Sequence, residues 1–99
     1  MTNSEYARSF RFQREKVYAL LSQDNPDGLT RLQVARILGI ERGSICRRVA
    51  ELQEEGRLWV IRKGLDPITN TRAEFLTTNF DVAKKYIRKE NFEKTGTLF

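Results

Sequence analysis

Residues 29–58 read "LTRLQVARILGIERGSICRRVAELQEEGRL". Thr30 followed three residues later by Gln33 is the capping-box pattern that opens a helix. Behind it Leu32, Val34, Ala35, Ile37 and Leu38 supply the face expected to be buried. Gly39 stands where a helix stops on a left-handed residue. Helical signals resume almost at once, so GIER (39–42) reads as a tight turn. Helix, short glycine-containing turn and helix make a helix-turn-helix pattern.

The second of these helices, 42–55, carries its charges in an unusual order. At about 100° per residue, Ile45, Val49 and Leu52 share an arc of roughly 60° and form a core stripe. Gly43, Ser44, Arg47, Glu51 and Glu54 fall on the far side, and Arg48 on the flank. Arg42, Arg47 and Arg48 precede Glu51, Glu54 and Glu55, whereas the helix macrodipole favours acids first and bases last. A helix loaded against its own dipole implies an anionic partner outside it. Gly56 marks the end.

Working outward, Phe10, Val17, Leu20 and Leu21 recur at helical spacing, with Phe12 and Tyr18 beside them. They predict a first helix from residue 10 to about residue 23, before the turn-forming DNPDG of 24–28. Residues 1–9 are expected to be a flexible arm, frayed or weakly helical. Beyond Gly56 the period shortens to two. In RLWVIRK (57–63), Leu58, Val60 and Arg62 alternate with Trp59, Ile61 and Lys63, and AEFLTT (73–78) is a second strand-like run. The turn-rich GLDPITNTR between them makes the pair a β-hairpin with a long tip. A last helix, 81–91, is expected to bury Ala83, Tyr86 and Ile87 and to show Lys84, Lys85, Arg88 and Lys89. Residues 92–99 read as a flexible tail.

Composition narrows the chemistry. Ninety-nine residues, 39% hydrophobic and 31% charged, suit one small α+β domain spanning residues 10–80, with the last helix added to it. The chain has no histidine and one cysteine, Cys46. Histidine catalysis, an internal disulfide and a structural zinc site are therefore outside its means. Glu54 and Glu55 are neighbours on a helix and point about 100° apart, which does not suit paired acid–base work. The expectation is a protein that is not an enzyme and uses no metal or cofactor. No apolar run approaches a membrane span and the N-terminus has no apolar signal core, so no membrane partner and a cytoplasmic location are expected. A net charge of +5 points to nucleic acid. Cys46 is expected to be a half-buried small hydrophobe, and Trp59 to pack on helix 42–55 or on the last helix.

Three helices followed by a hairpin is the order of a winged helix, and the 29–58 stretch resembles the bacterial winged helix-turn-helix regulators, including the GntR and MarR types. Thr30, Ala35, Leu38-Gly39-Ile40, Ser44-Ile45-Cys46-Arg47, Leu52 and Gly56-Arg57-Leu58 occupy the positions of their shared pattern. DPITNTRAEFLTT (66–78) is similar to the second wing strand of small phage and mobile-element members. The resemblance covers residues 10–80. Two departures stand out: Glu41 sits where a Ser or Thr cap is usual, and no effector-binding domain is expected after the wing, so any signal is expected to act through the helices or a partner.

The resemblance implies sequence-specific binding of double-stranded DNA by a small bacterial or phage transcriptional regulator. Helix 42–55 would lie in the major groove and the wing on the adjacent backbone. The residues expected to touch DNA are Arg31, Arg42, Gly43, Ser44, Arg47 and Arg48 from the helices, and Arg62, Lys63 and Arg72 from the wing. A homodimer through the C-terminal helix or helix 1 is a candidate assembly. Two rivals share this surface: a winged helix used for protein assembly, and an accessory factor of replication or recombination.

Overall fold

The computed structural model describes residues 3–93, with side chains from residue 10 to residue 86. Four helices and one antiparallel hairpin follow in the order α1 (Asn3–Leu21), α2 (Arg31–Leu38), α3 (Arg42–Glu54), β1 (Trp59–Leu65), β2 (Arg72–Thr77) and α4 (Phe80–Glu93). This is the architecture of a winged helix: a three-helix core, a hairpin wing and an added C-terminal helix.

Local signals set the helix ends in the centre of the chain. Thr30 Oγ1 accepts from the Gln33 amide (3.1 Å) while Gln33 Oε1 accepts from the Thr30 amide (2.9 Å), closing the expected capping box. Both following helices end on left-handed glycines, Gly39 and Gly56. After α3 the Gly56 amide donates to Gln53 O and the Arg57 amide to Leu52 O, a complete Schellman pair. Glu41 makes no side-chain cap, as its identity suggests.

The core forms two clusters. Val17 and Leu21 of α1, Val34 and Ala35 of α2 and Ile45, Val49 and Leu52 of α3 interlock with Leu58 and Leu76. Ile61 and Phe75 of the wing meet Val82 and Ala83 of α4 in the second, with Trp59 and Tyr86 against them. Trp59 thus packs on the last helix, where the exposed Phe80 ring meets it edge-on at 5.8 Å. A register shift between Val60 and Arg62 explains why strict alternation fails in β1 and why Leu58 and Ile61 are both buried. The strand also runs past the expected boundary to Leu65, leaving 66–71 as the tip.

Several elements depart from expectation. Residues 3–9, expected as a frayed or weakly helical arm, are continuous with α1 as its first two turns. Phe10 is 44% exposed and Ile37 57% exposed, so neither belongs to the core. Cys46 is exposed rather than half-buried. The last helix begins at Phe80 and takes in residues 92 and 93, expected as tail. Ile87, Arg88 and Lys89 have their side chains outside the described set, and 94–99 lie outside the described residues.

The long-range closure depends on one tripeptide, Thr77-Thr78-Asn79. Thr77 Oγ1 donates to Leu21 O (3.1 Å) and Asn79 Nδ2 to Ser22 O (3.0 Å), covering carbonyls that the end of α1 leaves open, while Thr78 Oγ1 donates to Tyr18 O (2.8 Å), which also accepts from the Ser22 amide. Asn79 Oδ1 then accepts from the Asp81 and Val82 amides and opens α4. Because one side chain serves both helices, Asn79→Ala is expected to cost about 1–2 kcal/mol, the upper end of the N-cap range. Urea unfolding measures it, and a loss under about 0.3 kcal/mol would show that water replaces both contacts readily. Beside this junction Leu29 and Leu76 exchange two backbone hydrogen bonds, a one-residue third strand at the foot of the wing. Gly28 precedes it with φ +70°, and a Cβ there would stand 2.8 Å from Leu76 O. Only glycine fits both demands.

Candidate nucleic-acid interface

Helix α3 turns Ile45, Val49 and Leu52 inward, so its outward face is decided by periodicity. Gly43, Cys46, Arg47, Ala50 and Glu54 share an arc of about 100° opposite the core and all are exposed. Arg42 and Gln53 flank it, also exposed, and Ser44 is half-buried. Cys46 and Ala50 are additions to the face expected from the sequence, although the same helical wheel places them there. They leave Arg47 standing above small neighbours.

Gly43 is informative because nothing inside the protein requires it. Its φ is ordinary, and an added Cβ would meet only the Glu41 carboxylate at 3.5 Å. Glycine within a helix costs up to about 1 kcal/mol relative to alanine. A small residue kept there without an internal reason permits close approach from outside.

Apart from the half-buried Ser44, the structure separates the expected contact residues into two groups. Arg42, Arg47, Lys63 and Arg72 are exposed and Gly43 lies among them, with no ion pair to any of the four cations among the described residues. The remaining cations have internal partners. Arg48 is a correction: it is 5% exposed, its guanidinium covers the Phe10 ring at 4.7 Å, and its Nε lies 3.0 Å from Glu51 Oε1. That pair lacks hydrogen-bond alignment, so the contact is coulombic. Arg48 ties α3 to α1 and faces no solvent-borne ligand. Arg62 is likewise held, stacked on Phe75 at 3.6 Å with Nε donating to Asp27 O. Arg31 pairs with Glu74 at 2.9 Å, joining α2 to the wing.

That last pair positions the wing. The register sets Lys63 opposite Glu74 and Leu65 opposite Arg72. Side chains alternate across a strand, so these four share the face that Glu74 turns toward α2. Arg62 and Phe75 occupy the other face, where Phe75 meets α4 and Arg62 reaches Asp27 O. A cleft runs between the starts of α2 and α3 and the wing, lined by Thr30, Arg31, Arg42, Thr71, Arg72 and Glu74 among others.

Asp66 closes the tip of the wing. It is 3% exposed, its carboxylate accepts from the Ile68 amide at 2.7 Å, and its backbone bonds Thr71 and Asn70. Burial pushes the carboxyl up. The Thr30 hydroxyl, the Ile68 and Thr69 amides and the charge of Arg42 more than offset that, so it sits below the usual carboxylate value and stays ionised. Asp66 and the N-cap Thr30 line the same cleft.

No protein-family model and no curated protein matches the chain. Among solved structures it is similar to a MarR-family transcriptional regulator from Rhodococcus sp. RHA1, at 20% identity and TM-score 0.47 over 84% of this chain. A MarR-family transcriptional regulator from Silicibacter pomeroyi matches at 18% identity and TM-score 0.46 over 85% of this chain. The matched region spans only 60% and 57% of those two chains. Among the described residues no cluster of side chains suits a metal ion, and no helix is long and apolar enough to cross a membrane.

Proposed function

We propose that this chain binds duplex DNA as a small transcriptional regulator, with α3 in the major groove and the wing on the neighbouring backbone. The observation that carries the reading is the sorting of cations. Arg42, Arg47, Lys63 and Arg72 are exposed, lack ion pairs among the described residues and gather on α3 and the wing face turned toward α2, whereas Arg31 and Arg48 of the same region are held in ion pairs; Arg11, Lys16, Arg36, Lys84 and Lys85 also lack ion pairs but stand on α1, α2 and α4. Arg47 is the base-reading residue, suited to two acceptors on a guanine edge. Arg42, Lys63 and Arg72 grip phosphates, which fix register without reading sequence. Gly43 lets the backbone of α3 approach the groove wall. A bacterial or phage origin accords with the sequence resemblance, and pairing of two copies through α1 or α4, which expose Phe12 and Phe80, would place half-sites one helical turn apart.

Counterion release provides the test. Three or four neutralised phosphates per chain give a slope of about −3 to −4 in log affinity against log salt. Titration of labelled duplex at several salt concentrations is expected to show it, and sedimentation of the complex gives the number of chains bound. Failure to bind any duplex at low salt would transfer the reading to protein assembly.

A further inference from the structure

The face of the wing turned toward α2 holds one apolar residue among charged ones. Lys63, Arg72 and Glu74 are charged, as suits an exposed hairpin kept from pairing with other edges. Leu65, directly opposite Arg72, is 60% exposed. It does not project from a loose loop. The Asp66 amide donates to Thr71 O at 2.8 Å, the Asn70 amide donates to Asp66 O at 2.7 Å, and the Asp66 carboxylate is buried against Ile68. Exposed Pro67 follows it. An apolar side chain is thus held out at the last position of β1, at the base of an ordered tip and beside an exposed arginine, on the face turned toward α2.

We propose that Leu65 is a wedge that enters the minor groove of bound DNA, separates adjacent stacked base pairs and bends the duplex. The inference rests on the DNA-binding reading and specifies what the wing does there. With α3 filling the major groove, a two-stranded ribbon beside it meets the adjacent minor groove. Arg72, gripping a phosphate at the edge of that groove, sets the paired register so that Leu65 opposite it faces into the groove. Apolar wedges of this kind act best at pyrimidine–purine steps, which unstack most readily. A rigid tip matters because a mobile leucine would fold back onto the protein rather than force neighbouring bases apart. The wedge would confer a sequence preference at a step that no hydrogen bond reads.

The experiment uses the full chain and a short duplex that it selects from a random-sequence pool. Fluorophores at the duplex ends report bending, and 2-aminopurine in place of adenine at pyrimidine–purine steps reports unstacking. Wild type is expected to bend the duplex by roughly 20–90° and to brighten 2-aminopurine at one step. Leu65→Ala is expected to bind within a few-fold of wild type, with bend and brightening lost, and Leu65→Met to restore both. Binding by wild type without a bend, or an undiminished bend with Leu65→Ala, overturns the wedge while leaving DNA binding intact. Complete loss of binding by a folded Leu65→Ala also overturns it, since Leu65 would then be an anchor. A wild-type chain that shifts no duplex fails the DNA-binding reading itself.

Discussion

Leu52→Ala is expected to lower the unfolding free energy by about 2–5 kcal/mol, the range for removing a fully buried leucine. Leu52 is 0% exposed and sits on the core stripe of α3, among residues of α1 and α2. The three helices cannot collapse onto the vacated space, because their ends are fixed by the capping box, two glycine stops and the Thr77–Asn79 junction. The lost transfer energy and the residual cavity therefore add. A domain of this size has about 5–15 kcal/mol in total, so one substitution removes a large share of it. At about 4–8 °C per kcal/mol the melting temperature falls by roughly 10–30 °C. Differential scanning calorimetry reads the shift directly, and Leu52→Met, which conserves volume, should lose less than about 1.5 kcal/mol. A cost below about 1 kcal/mol for alanine would mean that this core rearranges freely, against the packing described.

The second large effect falls on binding and distinguishes two adjacent arginines. Arg47→Ala is expected to leave stability within about 0.5 kcal/mol of wild type, as surface changes do. It should weaken the selected DNA site by about 1–3 kcal/mol and relax preference at one base pair. Arg48→Ala should behave in the opposite way. It removes a buried guanidinium from the Phe10 ring and from Glu51, so its main cost, on the order of 1–2 kcal/mol, is expected in unfolding experiments. Competition against random-sequence DNA, run beside thermal melts of both variants, separates them. If Arg47→Ala keeps its sequence preference while folded, α3 does not read bases and the site assignment is wrong.

The same pair of residues shows how much of the site is legible in the sequence. Arg42, Gly43, Arg47, Lys63 and Arg72 are where pattern places them, because an amphipathic helix and a hairpin fix which side chains face away from a core. Arg48 stands at the edge of the α3 stripe, and periodicity does not decide whether an edge residue is covered. Its cover comes from Phe10, on a helix whose first turns carry no apolar signal of their own. Cys46 departs from expectation for a different reason. Small hydrophobes are often buried, but the helical wheel already places Cys46 outside, and position on the helix prevails over that general tendency.

The sequence alone determined whatever is settled within about one helical turn: the Thr30–Gln33 capping box, the stops at Gly39 and Gly56, and the stripe of Ile45, Val49 and Leu52. These depend on backbone hydrogen bonds and side-chain periodicity between near neighbours, and a short window contains all the partners. Tertiary structure alone decided the rest. The hydroxyls that close α1 come from Thr77 and Thr78, 56 and 60 residues further along, and Arg31 finds Glu74 43 residues away. An unpaired carbonyl or an exposed-looking arginine carries no mark of its distant partner. Only the return of the chain brings the two together, and the cost of leaving buried polar groups unpaired then holds them there.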